Sequence, residues 1–281
     1  MKLVTMTSQL SKRFGDEKAI LMIKEAGFDG YDYSMSDNFF DKFNKNEDYI
    51  EYAKNIRKFA DEINFPCLQA HAPSPNMRTI EDVMPLTSMF LKSIEFASIL
   101  GCKYLVVHPG SFLSAEENYT YVYEKLLSYA EKMGVIIATE NMFKWKDKTE
   151  TETVPAACGT AQDFVRHMEY IKHPNFSACL DIGHASMVNC EGAVKLIKAL
   201  NDKIGCLHVH DNDLFDDKHS FPFLGDIDWY EVANALKEVN YKGCFTFEAD
   251  ATMRNYPNEL IPYTLKLLEK TGRYIIDLIE K

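Results

Sequence analysis

IGCLHVHDNDLFDDKH (204–219) starts as a buried strand and finishes as something else. Ile204 to Leu207 is short and apolar, whereas seven of the twelve residues from His208 to His219 are His or Asp. That density is too polar for a core and too rich in metal-type donors for an ordinary surface loop. The same grammar, an apolar run closed by an ionisable residue, recurs along the chain. The candidate strands are KLVTMTS (2–8), GYDYS (30–34), CLQAHAP (67–73), KYLVVHPG (103–110), VIIATEN (135–141), FSACLDIGH (176–184), IGCLHVHDN (204–212) and GCFTFEAD (243–250). Short apolar runs bounded by turn residues suit strands of a parallel sheet buried on both faces.

Each run is followed by helical spacing. Trp229, Val232, Ala233, Leu236 and Val239 fall on one helix face, with Asp228 as the N-cap and Glu231 as its reciprocal partner. Gly27, Gly101, Gly134 and Gly243 stand where helical stretches close before the next strand. Eight strand–helix units in 281 residues predict an α/β fold, a (β/α)8 TIM barrel forming a single domain over 1–281. An open, doubly wound sheet is the competing arrangement. The longest irregular piece, Met142 to Gly159, follows the fifth strand and reads as a lid over the active face or as an inert insertion.

Net charge is −11, from 31 basic and 42 acidic residues, which argues against a nucleic-acid partner, since phosphate contacts need a basic footprint. No run of about 18 apolar residues is evident to span a membrane, and the N-terminus lacks a signal-peptide core, so the expected location is cytoplasmic. Seven dispersed cysteines without a CxxC read as reduced structural thiols; Cys67, Cys179, Cys206 and Cys244 lie in the strand-like runs.

The ionisable residues sit at strand ends. His71 closes the third run, His108 the fourth, Glu140 the fifth, Asp181 and His184 the sixth, His208 the seventh and Glu248 the eighth. In a closed barrel those ends share one face, where active sites of this fold are built. Packing so many carboxylates and imidazoles together without a cation is costly, and a divalent metal removes the cost. Glu140, Asp181, His208 and Glu248 come from four adjacent strands, and three carboxylates with one imidazole suit Mn²⁺, Mg²⁺, Co²⁺ or Zn²⁺. Two glutamates on such an ion also form an acid/base pair able to remove and return a proton next to a carbonyl while the metal stabilises an enediolate.

The chain resembles the xylose isomerase-like TIM barrels, which include sugar and sugar-phosphate isomerases and epimerases and, as a DNA-repair relative, endonuclease IV. The motifs are AHAP (70–73), VHPGS (107–111), TEN (139–141), LDIGH (180–184), HVHDND (208–213) with DKH (217–219), GDIDW (225–229) and TFEAD (246–250). The resemblance implies a divalent-metal-dependent isomerase or epimerase without a nucleotide cofactor. Glu140, Asp181, His208 and Glu248 would be the ligands, and Glu140 and Glu248 the catalytic pair. His184 would touch substrate hydroxyls, and His208 is preferred over His210 as ligand because HVHD fits the His-x-x-Asp pattern. His71, His108, His210, Asp217 and His219 would join His184 as substrate contacts. The three-zinc set of endonuclease IV would instead fall on His71, His108, Glu140, Asp181, His184, His208, Asp217, His219 and Glu248. A lyase or dehydratase starting from the same enolate is a further alternative. The segment after His71, APSPNM, lacks the aromatic that helps open abasic DNA in that enzyme, and Lys144, Lys146 and Lys148 are offset by Asp147, Glu150 and Glu152. The implied partner is a small sugar or sugar phosphate, with Phe143, Trp145, Phe221 and Phe223 as a candidate apolar wall. Barrels of this kind often pair, which leaves a homo-oligomer open.

Overall fold

The computed structural model describes residues 1–43, 48–146 and 152–281. Eight parallel strands form its centre: β1 (Lys2–Met6), β2 (Gly30–Ser34), β3 (Cys67–His71), β4 (Tyr104–Val106), β5 (Ile136–Glu140), β6 (Phe176–Asp181), β7 (Ile204–His208) and β8 (Cys244–Phe247). Each pairs with its sequence neighbour, and β1 pairs with β8. Between β7 and β8 the circle closes through a parallel bridge from Val209 to Phe247. There Val209 N–H donates to Thr246 O (2.9 Å) and Glu248 N–H to Val209 O (3.1 Å). The chain is thus a TIM barrel, and the open-sheet arrangement is ruled out by that closure.

All eight strands lie inside the stretches read from the sequence, trimmed at their polar C-terminal ends. The strands β5 and β6 end at Glu140 and Asp181, whereas after His71 and His208 one further ladder bond is made, by Ala72 N–H to Val106 O (2.9 Å) and by Val209 N–H to Thr246 O (2.9 Å). Helices follow every strand and cover the sheet. In the helix Trp229–Glu238, Asp228 accepts hydrogen bonds from Tyr230 N–H (3.0 Å) and Glu231 N–H (3.1 Å), and Trp229, Val232, Ala233 and Leu236 are buried against the barrel. Fully burying Trp229, Val232 and Leu236 stabilises the fold by roughly 1.5–3 kcal/mol each. The reciprocal bond from Glu231 is not made. Gly27, Gly101 and Gly134 cap their helices with φ of 105°, 73° and 70°; at the fourth site the reversal is taken by Asn240 (φ 53°), not by Gly243.

One stretch, Ile80–Leu100, is long and apolar enough by composition to cross a membrane, contrary to the sequence reading. It divides into the helices Ile80–Val83 and Thr87–Leu100, joined by a 3₁₀ turn at Met84–Leu86, and the second buries Phe90, Ile94, Phe96, Ala97 and Leu100 in the barrel's outer core. Its apolarity is that of a core helix.

The lumen is unusually mixed. Val106, Ala138, Cys179 and Cys206 form a small apolar cluster inside one side of the barrel. Opposite them, contacts between non-adjacent strands must cross the lumen. Thr246 Oγ1 donates to Gln69 Oε1 (3.0 Å), and Gln69 Nε2 donates to Leu207 O (3.4 Å). Thr5 and Asp32 are buried in the same barrel.

Candidate metal centre and active site

The C-terminal ends of the strands bring the predicted residues together. His71, Glu140, Asp181 and His208 are the last residues of β3, β5, β6 and β7, and Glu248 follows β8 directly. His108 lies just beyond β4, and His184 sits in the short helix Ile182–Ser186. His210, Asp217 and His219 come from the connection spanning residues 209–229. Six of the chain's eight histidines therefore meet four carboxylates.

Glu140 is the hub. Its Oε2 lies 3.1 Å from His108 Nε2, 3.2 Å from His208 Nδ1 and 3.6 Å from His71 Nε2, while Oε1 lies 3.4 Å from His184 Nδ1. Glu248 Oε2 approaches His208 Nδ1 to 2.8 Å, and Asp181 Oδ2 lies 4.0 Å from the same nitrogen. Asp217 Oδ2 faces His219 Nε2 (3.1 Å) and His184 Nε2 (3.4 Å), and Asp217 Oδ1 faces His210 Nε2 (3.6 Å). Ligand atoms within 4.8 Å of one another define overlapping groups, among them Glu140/Asp181/His208/Glu248, His71/His108/Glu140 and His184/His210/Asp217/His219. His208 and His210 therefore fall in different groups.

The residues present fit a cation. Despite these close approaches, Glu140 Oε2, His208 Nδ1 and Asp217 Oδ1 are buried with no hydrogen-bond partner. The atoms aim at shared points in space rather than at one another, the arrangement of ligands around an ion. Electrostatics agree. Burial pushes the Glu140 carboxyl up, but His208 and His108 outweigh it and hold it well below the usual range. Burial disfavours imidazolium at His208, yet Glu248 and Glu140 raise its pKa well above the ordinary value. Asp217 is likewise pushed up by burial but held far down by His184 and His219, and His219, with Asp217 as its main partner, rises to about 10 against its own desolvation. The carboxylates demand positive charge at this spot, and a divalent cation would supply it in place of imidazole protons.

Supporting residues set these directions. Asn141 and Asp181 exchange two bonds, Asp181 N–H to Asn141 Oδ1 (2.8 Å) and Asn141 Nδ2 to Asp181 O (2.9 Å), locking the ends of β5 and β6 together. Asp181 Oδ1 caps the short helix by accepting from His184 N–H (2.6 Å) and also lies 3.1 Å from His210 Nε2. Gly183 is required there, since a Cβ would stand 1.9 Å from His210 Cε1. The fully buried Asp211 organises the 209–229 connection, accepting from Asn212 N–H (2.9 Å), Phe223 N–H (2.9 Å), Ile227 N–H (3.3 Å) and Trp229 Nε1 (2.8 Å). Asn141 and Asp211 lie within the motifs TEN and HVHDND; Asp32, inside the lumen, carries no motif signal.

Above the donors opens a cavity of about 770 Å³, whose lining includes Glu140, His184, Asp217, His219 and Glu248. Phe143–Trp145 pairs with Thr153–Pro155 as an antiparallel hairpin, and Phe143, Lys144, Trp145 and Lys146 line the cavity, so the described part of the 142–159 piece lies over the site. Asp147, Lys148 and Glu150 are outside the described residues; Lys146 pairs with Glu152 (2.5 Å). The apolar wall is half as large as expected. Phe221 is buried in the core, and Phe223 packs outside against Tyr230 and Tyr274.

The model of the xylose isomerase-like TIM barrel family matches residues 20–271. An uncharacterised protein of Methanocaldococcus jannaschii is 29% identical over 192 residues, covering 63% of this chain and 62% of the relative. A probable endonuclease 4 of Mycoplasma mobile is 26% identical over 188 residues, covering 62% and 63%. The chain thus spans between half and about three quarters of the curated relatives it matches. Among solved structures, a D-tagatose 3-epimerase-like protein superposes with a TM-score of 0.71 at 21% identity, covering 96% of this chain and 99% of that one. A D-allulose 3-epimerase from Methylomonas sp. gives 0.72 at 16%, covering 99% and 98%. At these identities the structures attest the fold. Closed barrel, donor ring at the strand ends and matched model together place this chain in the xylose isomerase-like TIM barrel family.

Proposed function

We propose that this chain is a cytoplasmic, divalent-metal-dependent isomerase or epimerase of a small sugar or sugar phosphate, working by proton transfer next to a carbonyl. The carrying observation is the pair Glu140 and Glu248, both lining the cavity and both facing His208 Nδ1, at 3.2 and 2.8 Å. Glu140, Asp181, His208 and Glu248 would hold the ion, with Mn²⁺, Mg²⁺, Co²⁺ or Zn²⁺ suited to the donor set. Bound there, a divalent ion supplies Lewis-acid polarisation of the substrate carbonyl.

The chain's own residues do the rest. Both glutamates are held below the usual carboxylate range, burial opposing and His208 prevailing in each, so they stand ready as bases. One takes the proton from carbon and returns it to the neighbouring carbon in an isomerisation; in an epimerisation the other, having taken a proton from the substrate's hydroxyl or solvent, delivers it to the opposite face of the same carbon. His184 orients a hydroxyl from the cavity wall, and the hairpin carrying Phe143 and Trp145 excludes water. Arg78 and Lys144 also line the cavity, and no ion pair to either is present among the described residues, so they offer charge for a phosphate or carboxylate on the substrate.

A second reading, phosphodiester hydrolysis of the endonuclease IV kind, is favoured by the two further donor groups, which with the first include every residue the resemblance assigns to three zinc ions. The net charge of −11 weighs against DNA. Proton NMR in deuterium oxide, with D-ribulose, D-fructose, D-tagatose and their phosphates, separates the two. Exchange of a carbon-bound proton by the metal-loaded protein, abolished by Glu248→Gln, is the expected result. Cleavage of an abasic-site duplex, with no exchange on any ketose, would replace the first reading by the second.

A further inference from the structure

Asp32 is 1% exposed at the middle of β2, and its Oδ1 has no hydrogen-bond partner. Its Oδ2 lies 3.8 Å from Nε2 of His208, across the lumen from a strand that is not its neighbour. The His208 ring itself is 1% exposed and is held edge to edge between two carboxylate sets. Nδ1 looks up towards Glu140 and Glu248, and Nε2 looks down towards Asp32. A buried carboxylate with an unsatisfied oxygen is costly, and a group kept at that cost calls for an explanation. Gln69, which accepts from Thr246 and donates to Leu207 O, also lends Asp32 a side-chain hydrogen bond, yet Oδ1 is left without a partner.

The ring's chemistry supplies a reason. A nitrogen that binds a cation carries no proton, so a neutral His208 with Nδ1 on the ion must carry its proton on Nε2. We propose that Asp32 is the positioning residue of the metal centre: it receives the Nε2–H of His208, selects the tautomer whose Nδ1 is free for the ion, and increases that nitrogen's basicity. This inference rests on the proposed metal reading and deepens it, by naming the residue beneath the ligand shell on which ion affinity depends. Closing 3.8 Å to hydrogen-bond length needs a shift of under 1 Å, which a ring drawn between two fixed partners can make.

The test is the dissociation constant for Zn²⁺ by chelator competition, on full-length wild type, Asp32→Asn and Asp32→Ala. Thermal unfolding of each is followed in the presence of EDTA. Removing such an outer partner weakens metal binding by about 10–100-fold. We expect a loss in that range for both variants, with the metal-free fold intact. Unchanged Zn²⁺ affinity in folded variants overturns the inference while leaving the metal reading standing. Wild type that takes up no Zn²⁺, Mn²⁺, Co²⁺ or Mg²⁺ overturns the metal reading and the inference with it. Should neither variant fold, ¹⁵N NMR of the imidazoles in Zn²⁺-loaded wild type decides. An Nε2 proton on His208 with the downfield shift and slow solvent exchange of an N–H bound to a carboxylate is expected; an Nε2 proton without them, or a proton on Nδ1, overturns the assignment.

Discussion

Asp211→Asn is the sharpest probe of how the site is held. The wild-type carboxylate takes two bonds on each oxygen: Asn212 N–H and Ile227 N–H on Oδ1, Phe223 N–H and Trp229 Nε1 on Oδ2. An amide can present an acceptor to only one of these pairs and sets its own N–H groups against the other. Two buried donors are stranded in either orientation. Each costs about 1–3 kcal/mol, so the loss is roughly 4 kcal/mol. At ~2–4 °C per kcal/mol for chains near this size, the melting temperature should fall by roughly 10 °C in calorimetry. The effect on the site should be selective. Residues 209–229 carry Asp217 and His219, whereas Glu140, Asp181, His208 and Glu248 stand on or beside strands. Titration with Zn²⁺ should therefore keep binding at the strand-end group, whereas any ion taken up by the Asp217/His219 group of wild type should be lost. A melting temperature within about 2 °C of wild type would refute the assignment of Asp211 as organiser of this connection.

Two more perturbations follow from the same geometry. Gly183→Ala places a methyl 1.9 Å from His210 Cε1 and 2.5 Å from its Nε2, so the ring must leave Asp181; we expect about 1–3 kcal/mol of destabilisation and weaker metal binding, checked by denaturant titration and metal analysis. Burial pushes Asp32 up to about 6 from 3.8, with His208 opposing, so the folded state holds this proton over a pH range where the unfolded chain has released it. Metal-free stability should then decline as pH rises from about 4 to 6 and stay lower above, by up to roughly 3 kcal/mol. Asp32→Asn should melt higher than wild type in EDTA at pH 7.5 and match it near pH 4; equal melting temperatures at both pH values would contradict this.

The barrel was legible because two independent patterns coincide. Apolar runs repeat along the chain, and each of the last six ends in His, Asp or Glu, which a closed parallel barrel gathers around one mouth. The donor ring was legible for the same reason: strand-end placement needs no knowledge of loop conformation. The connection at 209–229 was not, because its path depends on the buried Asp211 and on positive φ at Leu214 (67°) and Phe223 (71°), residue types that do not advertise a left-handed backbone. This is why Phe221 and Phe223, two residues apart, go to the core and to the outer surface. Asp32 was hidden by the shortness of β2, where one carboxylate among tyrosines could face either the helices or the lumen. Gly243 misled because a Gly before a strand marks a helix end only where the backbone reverses at that residue.

The central claim is that these converging donors hold a divalent ion that the acid/base pair uses. Metal content of freshly purified protein, in moles per chain, tests it most directly, with Glu140→Ala measured beside wild type. Glu140 faces four imidazoles, so its loss should empty the strand-end group and weaken the His71/His108 group. The account predicts at least one Mn, Mg, Co or Zn per wild-type chain, largely gone in the variant. Wild type that carries no divalent metal, and takes up none on incubation with these ions, would contradict it.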